Sequence, residues 1–158
     1  MPKFGFILAA LLTSLMATLI GLATYSEAQT VKISGFTNIS LGSWNGTGDV
    51  SGENSLCVFN SATSNYRIRA RGGGLGNAFV LTGTSTDVDY EVRFKESVGS
   101  YVSLTADSFQ NFTGANTTND DCSGVDNASL EVRVTDTELS TAESGSYSGT
   151  LTVLLETR

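Results

Sequence analysis

Residues 88–95 read Val88-Asp89-Tyr90-Glu91-Val92-Arg93-Phe94-Lys95, in which apolar and charged residues alternate without a break. Because successive side chains of a β-strand point to opposite faces, this pattern predicts a strand with one buried face and one solvated face. The same alternation recurs in other runs, with longer examples at 66–71, 130–134 and 147–153 and shorter ones at 39–41, 56–59, 79–81 and 101–104.

Clusters of Gly, Asn, Ser and Thr separate these runs, and no run shows the helical period. A series of short strands divided by such turns predicts an all-β fold, an antiparallel β-sandwich of two sheets. An up-and-down barrel would satisfy the same pattern. The long polar segment 111–127 contains Cys122 and is predicted to be a loop that is held to the fold.

The composition excludes most catalytic templates. The chain has 158 residues and no His, so it lacks Ser-His-Asp and Cys-His pairs, His-ligated zinc and the side chain whose charge ordinarily changes near neutral pH. Nine basic residues against 16 acidic ones give a net charge of -7, which opposes binding to nucleic acid or to an anionic membrane. The sequence therefore predicts a protein that is not an enzyme, uses no cofactor or metal, and does not bind nucleic acid.

Residues 1–28 have the order of a secretory signal peptide. Lys3 is followed by the apolar segment 4–22 and then by Ser26-Glu27-Ala28, with small residues at both positions of a cleavage site. A membrane anchor is the alternative, since the apolar segment approaches the ~20 residues that a spanning helix needs. We favour cleavage after Ala28, because no basic cluster follows, and residues 29–158 are then predicted to form one domain.

Export gives Cys57 and Cys122 a specific meaning. In an oxidising compartment, a chain with two cysteines most simply forms one disulfide between them, and a pair of free buried thiols is the alternative. Closing a loop of about 65 residues would stabilise the fold by about 4 kcal/mol in the chain-entropy model. Reduction is therefore expected to weaken the protein substantially.

Three arginines share one face of a predicted strand: Arg67, Arg69 and Arg71 alternate with apolar residues. Such a row could bind a carboxylate or a sulfated sugar. The alternative is a solvated face whose charges pair across strands with acidic residues such as Asp89 and Glu91. We favour the second interpretation.

Four runs of the chain share their order with a known family. They are Ile39-Ser40-Leu41-Gly42-Ser43-Trp44-Asn45-Gly46-Thr47-Gly48-Asp49, then Leu56-Cys57-Val58 with Tyr66 to Ala70, then Tyr90 to Phe94, and finally Gly145 to Val153. In this order they resemble the spore coat protein U domain, a family that includes the secreted subunits of archaic chaperone-usher pili. The resemblance spans residues 39–155, and the order of the motifs is more specific than any one of them.

The resemblance implies an incomplete, pilin-like, immunoglobulin-like sandwich that lacks its last strand. A periplasmic chaperone would first fill the hydrophobic groove, and a strand from another pilus subunit would replace it during assembly at an outer-membrane usher. Tyr147, Leu151, Val153 and Leu155 would form one wall of this strand-exchange groove.

The implied function is a structural or tip subunit of a surface pilus. Such a subunit is exported through the periplasm to the cell surface, where it would serve adhesion to a host or abiotic surface, or biofilm formation. Val31, Ile33 and Gly35 alternate and form the candidate donor segment, but only residues 29–38 precede the predicted strand at Ile39. Either the donor strand is short or this subunit receives a strand without donating one, as a subunit at the distal end of a fibre would.

Two other functions stay open. Trp44 lies beside a glycine turn, where an exposed ring would suit stacking on a sugar, and this predicts a self-contained extracellular carbohydrate-binding module. A buried or half-buried core aromatic is the commoner fate of such a residue. A secreted glycosidase that uses two carboxylates is a third class, although no pair of acidic residues stands out.

Overall fold

Alternating apolar residues form ten antiparallel strands, connected by turns and loops, in the part of the chain that the structure describes. The structure is a computed structural model that describes residues 28–158, so the predicted signal segment lies outside the described residues except for Ala28. The elements are β1 (Val31–Ser34), β2 (Val50–Asn60), β3 (Tyr66–Arg71), β4 (Val80–Thr82), β5 (Asp87–Asp89), β6 (Glu91–Glu96), β7 (Val102–Ser103), β8 (Phe109–Phe112), β9 (Ala128–Val134), α1 (Asp136–Thr141) and β10 (Thr152–Thr157). In this part of the chain, no helix is long and apolar enough to cross a membrane.

The strands form two main sheets and one small ribbon. The larger sheet has the order β1-β2-β9-β6-β7, the smaller sheet has the order β10-β3-β8, and β4 pairs with β5. Every ladder between these strands is antiparallel. The prediction of an all-β, antiparallel, sandwich-like fold is therefore confirmed.

The alternation in residues 88–95 sets the core, but it spans two strands. Val88, Tyr90, Val92 and Phe94 are all buried, as the pattern predicts. The run is divided at Tyr90, whose backbone N–H donates to the Phe79 carbonyl at 2.9 Å. The residues before Tyr90 pair with β4, and those after it pair with β9. The prediction of a single strand is therefore wrong, whereas the prediction of which side chains are buried is confirmed.

Aromatic side chains join the two main sheets. Tyr66 of β3 stacks on Phe112 of β8 with ring centroids 5.6 Å apart, and Phe94 of β6 lies 4.7 Å from the same Phe112 ring. Such close aromatic pairs stabilise the fold by more than the burial of their surface area alone. The shared cluster fixes one core between the sheets.

A disulfide holds the long loop before β9 against the outside of β2. Cys57 and Cys122 are bonded, with Cα atoms 5.7 Å apart, so the predicted pairing is confirmed. Residues 56–60 are buried on both faces, because the core covers one face and this loop covers the other. The loop prediction for residues 111–127 holds except at its start, since Asn111 and Phe112 end β8.

Two further predictions differ from the structure. The run 39–41 is not a strand, and the C-terminal strand begins at Thr152 rather than at Tyr147. The backbone of 39–41 makes no backbone hydrogen bond, and in 147–151 only Ser148 does so, with Thr82 of β4, so neither segment forms a ladder. The short helix α1 was not expected, although Thr135 and Glu138 have the spacing of an N-terminal capping box, and the Thr135 side chain accepts from the Glu138 N–H at 3.4 Å.

Asn127 fastens the disulfide loop to β2. Its amide nitrogen donates to the carbonyls of Val58 at 2.9 Å and Gly114 at 3.0 Å, and its amide oxygen accepts from the Val58 N–H at 2.8 Å. We expect Asn127→Ala to lower the free energy of unfolding by about 2 kcal/mol, since it leaves the partly buried Val58 N–H without a partner, whereas the Val58 carbonyl keeps the Asn116 N–H at 2.8 Å. Denaturant unfolding measures this loss. The exposed Asn111 is the matched control, and equal effects of the two alanine variants would contradict the role of Asn127.

Candidate functional site: an open groove at the sandwich edge

An open groove of about 730 Å³ lies between the edges of the two sheets. One rim is the segment 36–42, which follows β1, and the other rim is the segment 147–153, which leads into β10. We call this feature the edge groove. It lies where the polypeptide leaves the larger sheet on one side and joins the smaller sheet on the other.

The edge groove is uncharged and opens onto the core. Its floor contains the buried side chains of Tyr90, Leu130 and Val132. Half-buried apolar side chains line its walls, namely Ile39, Leu41, Leu81, Leu151 and Val153. No described residue that lines it is charged, and burial raises the pKa of the Tyr90 phenol, so the floor remains neutral.

β10 is incompletely covered on the side that faces the edge groove. Val153 and Leu155 stand opposite Ala70 and Ile68 in the ladder, and directly opposite residues share one face of a sheet. Ala70 and Ile68 are completely buried, whereas Val153 and Leu155 are only half-buried. The side chains of Val153 and Leu155 therefore point to the core, but β10 has no neighbouring strand on the side away from β3.

The two rims are not joined by backbone hydrogen bonds. Within residues 28–158, the backbone of 36–42 makes no backbone hydrogen bond, and β10 pairs with β3 alone. Ser148 exchanges two backbone hydrogen bonds with Thr82, at 2.8 and 3.1 Å, which ties this rim to β4 rather than to the opposite rim. Each rim thus presents backbone groups that another strand could pair.

Asn54 holds the first rim in place from below. This buried residue of β2 donates its amide N–H to the Thr37 carbonyl at 2.8 Å, and its amide oxygen accepts from the Thr37 hydroxyl at 2.7 Å. A buried amide that is satisfied in this way fixes its neighbours. The rim is therefore positioned, although its own backbone is unpaired.

The predicted wall residues fall into two groups. Tyr147, Leu151 and Val153 line the edge groove, and Leu155 lies farther along β10 with its side chain packed against the core. The Tyr147 hydroxyl donates to the Glu143 carbonyl at 2.8 Å and lies 2.8 Å from the Thr86 hydroxyl. Ile39, Leu41 and Asn54 were not predicted as groove residues, although the alternation at 39–41 had marked an extended segment.

The predicted donor segment belongs to the domain's own sheet. Val31 and Ile33 lie in β1, opposite Asn60 and Val58 of β2. Gly35 has a φ of 98°, and a Cβ there would lie 2.5 Å from the Ser55 carbonyl oxygen, so only glycine fits. These residues are not a free extension in this structure. β1 lies beside β10, with Cα atoms within 8 Å and no shared ladder.

Trp44 lies in a second cavity that continues from the edge groove. This cavity has a volume of about 520 Å³ and shares Leu41, Leu81 and Tyr147 with the groove. The Trp44 ring is half-buried, and its indole N–H donates to the Gly48 carbonyl at 2.9 Å. Trp44 is therefore neither fully exposed nor part of the hydrophobic core cluster.

Two of the three arginines of β3 are paired at hydrogen-bond distance, but with other acids than expected. Glu156 contacts Arg67 at 2.7 Å, and Asp107 contacts Arg71 at 2.6 Å. Asp89 and Glu91, the suggested partners, belong to β5 and β6 of other sheets, and the Glu91 carboxylate lies 3.9 Å from Arg133 instead.

Comparison with known proteins adds no assignment. The sequence matches no protein-family model and no curated protein. Among residues 28–158, no group of three or more His, Cys, Asp or Glu side chains could hold a metal ion. The chemistry of the site must therefore be argued from the edge groove and the surfaces around it.

Proposed function

We propose that the protein is a structural or tip subunit of a surface pilus that is assembled by strand exchange, as in chaperone-usher pili. The edge groove is the observation that carries this proposal, because its two rims are not hydrogen-bonded to each other and an apolar floor lies between them, which is the kind of gap that an added strand fills. In this proposal the sandwich is immunoglobulin-like and incomplete, and the missing strand comes from another chain.

The chemistry of the edge groove defines what the incoming strand must look like. A strand placed between 36–42 and 147–153 would take backbone hydrogen bonds from both rims and place every second side chain on the floor. The floor side chains and the half-buried wall side chains are apolar, and no described lining residue is charged, so the side chains that point to the floor must be apolar as well. Uncharged polar residues such as Thr37, Ser40 and Thr150 lie along the rims. A periplasmic chaperone would supply such a strand before assembly, and another subunit would supply it in the fibre at an outer-membrane usher.

An open sheet edge above apolar residues explains why such a subunit needs a partner throughout export. Unpaired backbone groups beside half-buried Leu151 and Val153 would promote association with any available strand. We place the assembled protein on the cell surface, where it serves adhesion or biofilm formation. Because β1 is used in the domain's own sheet, the proposal favours a subunit that receives a strand without donating residues 31–35.

A matched pair of leucine variants tests this function. Leu151 lines the edge groove, whereas Leu154 lies opposite Arg69 on the outer face of the same sheet. We expect Leu151→Gln to abolish surface fibres, because a polar amide would oppose the apolar side chains of the incoming strand. Leu154→Gln should leave fibres in place.

The measurement is electron microscopy of cells, together with the size distribution of the protein released from their surface. Far-UV circular dichroism and formation of the disulfide show that each variant folds. Fibres of normal length with Leu151→Gln would contradict the proposal, and so would an equal loss of fibres in both variants.

A further inference from the structure

The outer face of the smaller sheet carries a row of arginines that the edge groove does not use. Arg67, Arg69 and Arg71 point away from the core, because the residues between them in β3 are buried. The ladder places Phe109 of β8 opposite Arg69. We call these four residues the arginine face.

One aromatic ring holds two of the guanidinium groups. The Arg67 and Arg69 guanidinium carbons lie 4.2 and 4.4 Å from the centroid of the Phe109 ring. Each position is within the range of a cation–π interaction. Two like charges are therefore held close together before any ligand arrives, which lowers the conformational cost of binding one.

The carboxylates on this face do not neutralise the arginines. The Glu156 carboxylate accepts a hydrogen bond from Arg67, and the Asp107 carboxylate accepts one from Arg71. The Arg71 guanidinium holds the pKa of the Asp107 carboxyl below its usual value. Arg69 lies 3.6 Å from the same Asp107 oxygen, beyond hydrogen-bond length, and its Nε has no hydrogen-bond partner among the described residues. Three guanidinium groups therefore face two carboxylates, so one positive charge on the arginine face has no counter-charge of its own.

The outer face of the larger sheet has the opposite balance of charge, with more carboxylates than cationic side chains. There Arg93, Lys95 and Arg133 are outnumbered by the carboxylates that contact them, which belong to Asp49, Glu53, Glu91 and Glu131. In a protein with a net charge of -7, a face with surplus positive charge is therefore a local exception. It is partly open to solvent, since the side chains of Arg67, Arg69 and Arg71 are 42%, 24% and 36% exposed.

We propose that the arginine face binds an acidic polysaccharide through its carboxylate or sulfate groups. Guanidinium groups bind such oxyanions with paired, charge-assisted hydrogen bonds. Alternate residues of a strand are about 7 Å apart, so the row offers a narrow line of charge that suits a single flexible chain. A nucleic acid duplex would bring a broad band of negative charge against the acidic remainder of the surface. This inference goes beyond the proposed function and does not require an open edge groove.

Binding of heparin to the purified exported protein tests this inference. We expect Arg69→Gln to weaken the affinity about tenfold, since one charge-assisted interaction is lost. Asp107→Asn should strengthen it severalfold, because it removes a competing carboxylate, and Asn tolerates the φ of 57° at this position. Arg133→Gln is the matched control on the larger sheet and should leave the affinity within about twofold of the original.

Uncharged dextran and duplex DNA are the comparison ligands, and circular dichroism shows that each variant is folded. The inference is overturned if heparin does not bind, if Arg133→Gln weakens binding as much as Arg69→Gln, or if duplex DNA binds as tightly as heparin. Leu151→Gln distinguishes this inference from the proposed function, since it should prevent fibre formation while heparin binding continues. A purely structural role of the arginines would not produce the higher affinity for heparin that we expect of Asp107→Asn.

Discussion

A version of the protein that carries its own groove strand should be far more stable than the original chain. In this version, a peptide of alternating apolar and polar residues follows Arg158 through a flexible Gly/Ser linker of about ten residues, long enough to reach the edge groove. The peptide would cover half-buried residues such as Leu151, Val153 and Ile39 and pair both rims. Completing the burial of several such side chains should raise the free energy of unfolding by about 5 kcal/mol.

The matched control is a peptide of the same composition whose apolar residues are grouped at one end. It cannot place alternate side chains on the groove floor, so it should give little stabilisation and should leave the protein prone to aggregation. Denaturant unfolding and size-exclusion chromatography measure the two effects. Equal stabilities of the two fusions would show that the order of the apolar residues has no importance, which would contradict strand addition.

Removing the disulfide should cause the second large change in stability. The bond closes a loop with a sequence separation of 65 residues, so the variant with both Cys57→Ala and Cys122→Ala should lose about 4 kcal/mol in the chain-entropy model. The loss has a structural consequence as well, because the bond holds the loop that covers the outer side of β2. Exposure of Phe59, which lies under that loop, should accompany unfolding of this region.

Reduction of the original protein provides the control for this prediction. A reductant should lower its stability to that of the double alanine variant and should have no further effect on the variant itself. Urea unfolding with and without reductant gives both values. The role of the bond would be contradicted if the double variant were as stable as the oxidised protein.

The core and the disulfide could be predicted from the sequence because neither prediction required knowing which strands are neighbours. Alternation alone placed Val92 and Phe94 on the buried face, and the presence of two cysteines fixed their pairing. The change of partner at Tyr90 could not be predicted in this way, because alternation gives the face of a residue and not the strand beside it. For the same reason, the acids that pair with the arginines of β3 were assigned to the wrong strands.

Only one of the two rims of the edge groove was expected before the structure was known. Leu151 and Val153 were expected at its wall, because the resemblance to the spore coat protein U domain implies a groove beside the last strand. The opposite rim, at Ile39 and Leu41, was interpreted as a strand, because an extended segment without a partner has the same pattern as a paired one. The role of Asn54 depends on its contact with Thr37 across the fold, and no spacing in the sequence indicates that contact.

Amide hydrogen exchange at the two rims tests the central claim most directly. In the original protein the backbone amides of 36–42 and 149–151, none of which donates to another backbone group, should exchange rapidly, whereas in the fusion with the alternating peptide they should slow by about a hundredfold. The short strand β7, at the opposite edge of the larger sheet, serves as the internal reference and should change far less. Rims that are already protected in the original chain, or that stay unprotected when the alternating peptide is present, would contradict an edge groove that a strand from another chain completes.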